Sequence, residues 1–265
     1  MHSYQPPLED FNFILHDFLK IEKEDIRGYN DLLPEFTKTI FKEAGKLASE
    51  VISPSNKDGD EQGCKLENGI VRTPDSFKLA FDKLREGGWL SLDIEEEFGG
   101  QNLPLILSTV TNEMFTSANM SLTMYSGLSR GAYSAIFLHG SEEQKQLYLP
   151  KLASCEWTGT MNLTEPHCGT DLGLIRTKAT PNANGSYEVS GQKIFISSGD
   201  HDLSKNIIHL VLAKTPDAPE GVRGISLFVV PKFLVNDDGS LGERNNLSVG
   251  KVEKKMGIKG NATCV

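Results

Sequence analysis

The feature of this sequence that most limits its fold is a change of period near residue 156. Upstream, apolar side chains recur every third or fourth position, as on one face of a helix. From Glu156 onward they alternate, as on a strand. A chain that switches between these repeats must build two kinds of layer, and 265 residues suffice for two units. The expected class is therefore α+β, with an amino-terminal helical bundle over residues 1–155 followed by an antiparallel β domain over residues 156–265.

Local signals place the elements. In Leu33 to Val51, Phe36, Ile40, Ala44, Leu47 and Val51 form one apolar stripe, and Pro54 stands beyond its end as a stop. Thr73-Pro74-Asp75-Ser76 supplies a cap, a first-turn proline and an early acid for a helix through Leu84, closed by Gly87-Gly88. Leu105 to Phe115 and Ser121 to Leu138 are two more helical runs, and Ser141-Glu142-Glu143-Gln144 is a capping box for a helix ending at Pro150. Trp157 to Leu163, Tyr187 to Ile196, Asn206 to Lys214, Val222 to Val230 and Leu247 to Val252 read as strands, with turns such as Asn182-Ala183-Asn184-Gly185 and Asn236-Asp237-Asp238-Gly239 between them.

Composition narrows the function. A net charge of -9 disfavours nucleic acid and anionic lipid, which bind clustered positive charge. The uncharged stretch Met114 to Ser129 falls short of the roughly 20 apolar residues a bilayer span requires. The opening Met1-His2-Ser3-Tyr4-Gln5-Pro6-Pro7 lacks the basic and apolar regions of a secretory leader, so a cytoplasmic protein is expected. Four cysteines, Cys64, Cys155, Cys168 and Cys264, form no CxxC pair and share no metal-ligand spacing with histidine, so they read as reduced structural thiols and no metal is expected.

Neither GxGxxG nor GxxxxGK[ST] occurs, so a nucleotide would have to be held by other geometry. The densest polar cluster is Met161-Asn162-Leu163-Thr164-Glu165-Pro166-His167-Cys168-Gly169-Thr170-Asp171-Leu172-Gly173, where a strand enters a loop. Thr164 and Thr170 offer hydroxyls, and Gly169 lets backbone amides approach a ligand. Taken alone, such a block is an ordinary capped turn. A second block, Gly191-Gln192-Lys193-Ile194-Phe195-Ile196-Ser197-Ser198-Gly199, follows after a strand, a turn and another strand-like run.

The pair resembles the acyl-CoA dehydrogenase family, whose middle domain carries Thr-Glu-Pro-x-x-Gly-Ser-Asp and then Gly-x-Lys-x-(aromatic)-Ile-(Thr or Ser)-(Asn or Ser)-Gly. Glu95-Glu96-Glu97-Phe98-Gly99-Gly100, Gly140 to Lys145 and Tyr148 to Leu152 are similar to that family's helical-domain signatures, so the resemblance covers nearly the whole chain. In wording it is closest to the 3-methylmercaptopropionyl-CoA dehydrogenase-like branch, through Tyr4 with Pro7-Leu8, Gly199-Asp200-His201-Asp202-Leu203 and Gly224 to Lys232. Met161 and Phe195 stand where the family often has Tyr and Trp, and Cys168-Gly169-Thr170 where Ala-Gly-Ser is usual, which weakens the case for direct flavin contacts at the first two.

The resemblance implies FAD as cofactor, an acyl-CoA thioester as substrate, α,β-dehydrogenation as the reaction within fatty acid metabolism, an electron-transfer flavoprotein as acceptor, and a homodimer or homotetramer at full length. It implies Met161, Leu163 and Thr164 against the flavin ring, Gly169 and Thr170 at the acyl-CoA and flavin phosphates, with Thr170 also on substrate, and Phe195, Ile196 and Ser197 over the ring's other face. The family's α-proton base is a glutamate of a carboxy-terminal helical domain, expected beyond residue 265 and absent from this chain. Glu165 takes a structural role in that pattern. His167 and His201 read as loop residues, His209 as a strand residue, and Lys178 and Lys193 as solvated strand lysines. Two other readings keep the scaffold: an acyl-CoA oxidase or nitroalkane-oxidase-like flavoenzyme, and a non-catalytic binding or assembly protein.

Overall fold

The computed structural model describes residues 4–265. Met1 to Ser3, part of the stretch on which the absence of a leader was read, lie outside the described residues.

The helices come first. α1 (Leu8–Asn12) runs into a π-helical stretch at Phe13–Phe18. α2 (Pro34–Leu47) passes through a π-helical turn at Ala48–Ile52 directly into α3 (Ser53–Gln62). The helix thus does not stop at Pro54. The wider π-turn just before it accommodates a residue with no amide to donate, so the helix passes Pro54 without ending. β1 (Lys65–Glu67) and β2 (Ile70–Arg72) form a hairpin around Asn68-Gly69, both left-handed at φ 51° and 75°.

α4 (Asp75–Glu86) follows, without the expected side-chain cap. The Thr73 hydroxyl instead donates to Asp202 Oδ1 at 2.7 Å, and Gln62 Oε1 accepts the Asp75 amide at 3.0 Å. The two central helical runs meet end to end in α5 (Leu105–His139), broken at Asn119 (φ -158°, ψ 92°). Asn119 Oδ1 caps the second run by accepting from Leu122 N at 3.1 Å. α6 (Glu142–Ala153) opens on the expected capping box, with Gln144 N on Ser141 Oγ at 3.3 Å and Ser141 N on Gln144 Oε1 at 3.0 Å, and carries Pro150 inside its last turn instead of ending there.

The strands are β3 (Trp157–Asn162), β4 (Lys178–Pro181), β5 (Tyr187–Ser190), β6 (Asn206–Lys214), β7 (Ile225–Pro231), β8 (Phe233–Val235), β9 (Leu241–Arg244), β10 (Val252–Glu253) and β11 (Thr263–Cys264). β6 is central, which explains its nearly continuous burial. It runs antiparallel to β7 but parallel to β3, so the main sheet is mixed where an antiparallel one was expected. The cause is the long crossover: the chain leaves β3 through the first polar block, makes the β4–β5 hairpin and the second block, and re-enters β6 in the same direction.

One apolar cluster fills the helical part, around Phe41, Phe77, Phe81, Phe115 and Tyr125. A second joins Tyr133, Ile136 and Leu152 to Trp157, Ile208 and Leu210, so sheet and helices share a core. β3 lies so close to α5 that a Cβ on Gly159 would sit 2.3 Å from Ala132 Cβ. Among the described residues no helix is long and apolar enough to cross a membrane.

Candidate functional site

The two polar blocks are stitched together by one buried ion pair. Just past β3 the chain makes a tight turn, with Glu165 N bonded to Cys168 O and Cys168 N to Glu165 O. The turn aims Glu165 inward, where its carboxylate accepts from Arg176 N (2.8 Å), Thr177 N (3.0 Å), Thr177 Oγ1 (2.6 Å) and Lys193 Nζ (2.9 Å). Burial alone would raise the Glu165 pKa; these donors outweigh it and hold the carboxyl down at about 2. Lys193 Nζ also donates to Leu163 O at 3.0 Å, and Ile194 N to Thr164 O at 2.8 Å. Lys193 is therefore a buried tie between the blocks and not a solvated strand lysine. A buried ammonium needs a counter-ion, and Glu165 supplies it.

This stitching brings Leu163 and Thr164 against Lys193 and Ile194, with Met161 two residues back on β3. Met161 and Phe195 remain 38% and 52% exposed, large apolar side chains left uncovered. Phe195 also takes φ 57°, a left-handed conformation that an aromatic residue adopts only when its surroundings impose it. Leu163, Thr164 and Ser197 are half-buried, and Gly169 and Thr170 are exposed on the loop after the turn. Ile196 faces inward: it is 5% exposed and pairs with Cys264, with Ile196 N on Cys264 O at 2.9 Å and Cys264 N on Ile196 O at 2.8 Å. Its backbone anchors the loop.

Under the loop lies a buried polar layer. His201 Nδ1 accepts from Leu203 N at 3.1 Å, so Nε2 carries the proton and donates to Thr158 Oγ1 at 2.9 Å. His209 Nδ1 meets Thr160 Oγ1 at 2.8 Å, and Asp200 pairs with Lys232. Burial, reinforced by the Lys232 charge, lowers His201 to about 3 and His209 to about 4, which makes both structural neutral groups and poor candidates for a base. The ordinary value, 6.5, lies above both, so the folded state binds fewer protons and their contribution to stability is complete above pH 6.5 and lost as pH falls toward 4 and 3. The urea midpoint is accordingly expected to fall between pH 6.5 and 4, and His209→Gln to flatten that slope; equal slopes in the two proteins would refute this origin.

Glu165, His167 and Cys168 bring potential ligand atoms within 4.8 Å of one another. The Glu165 oxygens are already taken by their donors, and His167 Nε2 lies 2.9 Å from Leu174 O as a donor, so the trio reads as a hydrogen-bonded turn. All four cysteines are free thiols; burial pushes Cys64 up to about 11 and Cys155 and Cys264 to about 12. Two further residues shape the site, Asn162 inside the first polar block and Asn261 with no local signal in the sequence. Asn162 is fixed by Thr160 Oγ1 donating to its Oδ1 at 2.6 Å, and Asn261 reaches back to Ser198 from the far end of the chain.

Known proteins agree with this architecture. The family description "Acyl-CoA dehydrogenase, N-terminal domain" matches residues 34–156, and "Acyl-CoA dehydrogenase, middle domain" matches residues 160–265. A 3-methylmercaptopropionyl-CoA dehydrogenase of Ruegeria pomeroyi is 42% identical over 99% of this chain and 45% of its own length. A butyryl-CoA dehydrogenase of Syntrophomonas wolfei subsp. wolfei is 40% identical over 98% of this chain and 44% of its own. The crystal structure of an acyl-CoA dehydrogenase complexed with FAD from Bacillus anthracis superposes with a TM-score of 0.68 at 27% identity, over 88% of this chain and 35% of that one. The chain thus spans less than half the length of these relatives. With its helical and β parts each matched by the corresponding family description, the chain belongs to the acyl-CoA dehydrogenase family.

Proposed function

We propose that this chain is the flavin-gripping part of an FAD-dependent acyl-CoA dehydrogenase. The observation that carries the reading is the Lys193–Glu165 stitch, which together with Ile194 N on Thr164 O ties the segment after β3 to the second block while Met161 and Phe195 stay exposed. Residues 1–155 serve as the helical support and residues 156–265 as the ligand-bearing domain. FAD, when bound, supplies the hydride acceptor. Met161 and Leu163 offer an apolar bed on one side, Phe195 covers the other, and Thr164 and Ser197 present hydroxyls and amides to the polar ring edge, where donors stabilise added negative charge. The bed accepts a thioether in place of an aromatic side chain at Met161, since sulfur packs well against rings. Ile196 contributes its backbone. Gly169 and Thr170 meet the phosphates, and Thr170 also meets the acyl-CoA.

We place the α-proton base outside residues 1–265. Glu165 is saturated by donors and holds a pKa of about 2, which leaves it too weak a base for a carbon acid. The enzyme acts in fatty acid metabolism in the cytoplasm as a homodimer or homotetramer, and an electron-transfer flavoprotein reoxidises it. The named relatives act on different acyl groups, 3-methylmercaptopropionyl and butyryl, at nearly equal identity, so the titration includes both thioesters. In anaerobic titration of the full-length gene product with each one, bleaching of the oxidised flavin band by either supports the reading. Protein that binds no FAD would sink it.

Gly169 gives a sharper test. A Cβ there would meet only Thr164 Cγ2, at an ordinary 3.5 Å, so nothing in the fold demands glycine. Gly169→Ala is expected to alter folding stability by no more than about 0.5 kcal/mol while weakening acyl-CoA or FAD binding about tenfold, through lost backbone approach. Unchanged affinity for both ligands would remove Gly169 from the site.

A further inference from the structure

The loop that carries Phe195 and Ser197 cannot hold its own shape. Phe195 and Ser198 both adopt left-handed backbone, at φ 57° and 55°, and neither is glycine. Such residues persist only where neighbours fix them. The fixing groups come from the far end of the chain. Asn261 Oδ1 accepts from Ser198 N at 3.0 Å, and Asn261 Nδ2 donates to Ser198 Oγ at 2.9 Å and to Ser121 O at 3.3 Å. Because one end of the amide accepts from a backbone N–H and the other donates to a backbone carbonyl, its orientation is unambiguous. Asn261 is 1% exposed.

The residues around Asn261 are pinned as firmly. Ala262 N donates to Tyr125 Oη at 2.9 Å, and Tyr125 Oη donates to Gly260 O at 3.0 Å. Gly199 N donates to Ala262 O at 3.1 Å. Ser121 opens the second run of α5, next to the break that Asn119 caps, and Asn119 Nδ2 donates to Ser55 Oγ of α3 at 2.9 Å. A line of buried amides and hydroxyls therefore runs from α3 through the α5 break and Asn261 to Ser198, one residue from the proposed flavin-facing Ser197.

We propose that Asn261 is a positioning residue for the cofactor: it locks Ser198 so that Phe195 and Ser197 present one fixed surface to the flavin. This rests on the functional reading above. Asn261 touches no ligand itself. Its work is to transmit the rigidity of α5 to a loop whose own backbone preferences oppose the shape it holds.

The test uses the full-length gene product, wild type and Asn261→Ala, with FAD titrated by fluorescence quenching, the visible spectrum of the bound flavin, and amide hydrogen exchange on the apoprotein. Asn261→Ala is expected to bind FAD at least about tenfold more weakly, with a shifted flavin spectrum, and to exchange the Ser198 and Gly199 amides faster while amides in the second run of α5 stay protected. A variant that melts at a lower temperature yet binds FAD with wild-type affinity and spectrum overturns the proposal, since a purely structural asparagine would do that. If Asn261→Ala fails to fold, Ser198→Ala decides: it keeps the amide bond to Asn261 and loses only the hydroxyl acceptor, and is expected to weaken FAD about threefold, whereas unchanged binding overturns the proposal. Wild-type protein that takes up no FAD overturns the functional reading and this inference together, which separates the two failures.

Discussion

Glu165→Ala is expected to lower folding stability by roughly 3 to 5 kcal/mol, because it strands the buried Lys193 ammonium without a counter-ion. The Lys193 and Glu165 side chains are only 8% and 2% exposed, so water cannot take over the lost partner's role. The Arg176 and Thr177 amides lose their acceptor as well, and each buried unsatisfied donor costs about 1 to 3 kcal/mol. Urea unfolding at pH 7 measures the loss; a midpoint within error of wild type would mean that Lys193 finds another partner. Glu165→Ala with Lys193→Met removes both charges and is expected to recover a large part of the deficit, since replacing a whole buried pair with apolar groups is far milder than breaking it. The pH dependence has a definite sign. With the folded carboxyl held at about 2 against an ordinary 4.5, the contribution of Glu165 is complete above pH 4.5 and is lost as pH falls toward 2. Acid unfolding of wild type below pH 4.5 should therefore be steeper than that of Glu165→Ala.

The same pair marks where the sequence stopped being readable. Short-range signals translated well: the capping box at Ser141 to Gln144 is made as written, and the strand Asn206 to Lys214 has the expected ends. Signals that compete with tertiary contacts did not. Thr73 has the chemistry of a helix cap, but its hydroxyl is drawn to Asp202, more than a hundred residues away, and nothing in the local string announces that. Pro54 is a helix stop by propensity, and a π-turn absorbs it. β3 and β6 each carry a period-two signal, which says nothing of relative direction; only the route of the crossover makes them parallel. At the site, the Thr-Glu-Pro block and the Gly-x-Lys block were legible as blocks, and the burial of Lys193 was not, because a lysine is buried only when a carboxylate elsewhere in the chain waits for it. Asn261 is the extreme case. Every partner of its side chain lies at least 63 positions away in sequence, so no window around it could have revealed its role.

The packing of β3 on α5 yields the second large effect. Gly159→Ala is expected to cost about 3 kcal/mol, the upper end for an overpacked site, because even the first carbon of a side chain would sit 2.3 Å from Ala132 Cβ. Neither group can swing away. Ala132 is held on a helix, and Gly159 sits in a strand whose amide donates to Ser129 Oγ at 3.0 Å. The strand must lift off α5, and since Met161 and Thr164 follow on the same stretch of chain, the proposed flavin surface moves with it. Ala132→Gly supplies the missing space. Alone it is expected to cost about 1 kcal/mol, the ordinary penalty for glycine inside a helix. In the double variant the next atoms a Cβ at 159 would meet are Ser129 Cα at 3.3 Å and Leu128 O at 3.5 Å, within reach of small adjustments. Denaturant unfolding of both single variants and the double should give a coupling of about 2 kcal/mol in the favourable direction, with FAD uptake recovering in parallel. Additive losses would show that the clash is relieved elsewhere in the sheet, and that the close approach at Gly159 does not set the position of β3.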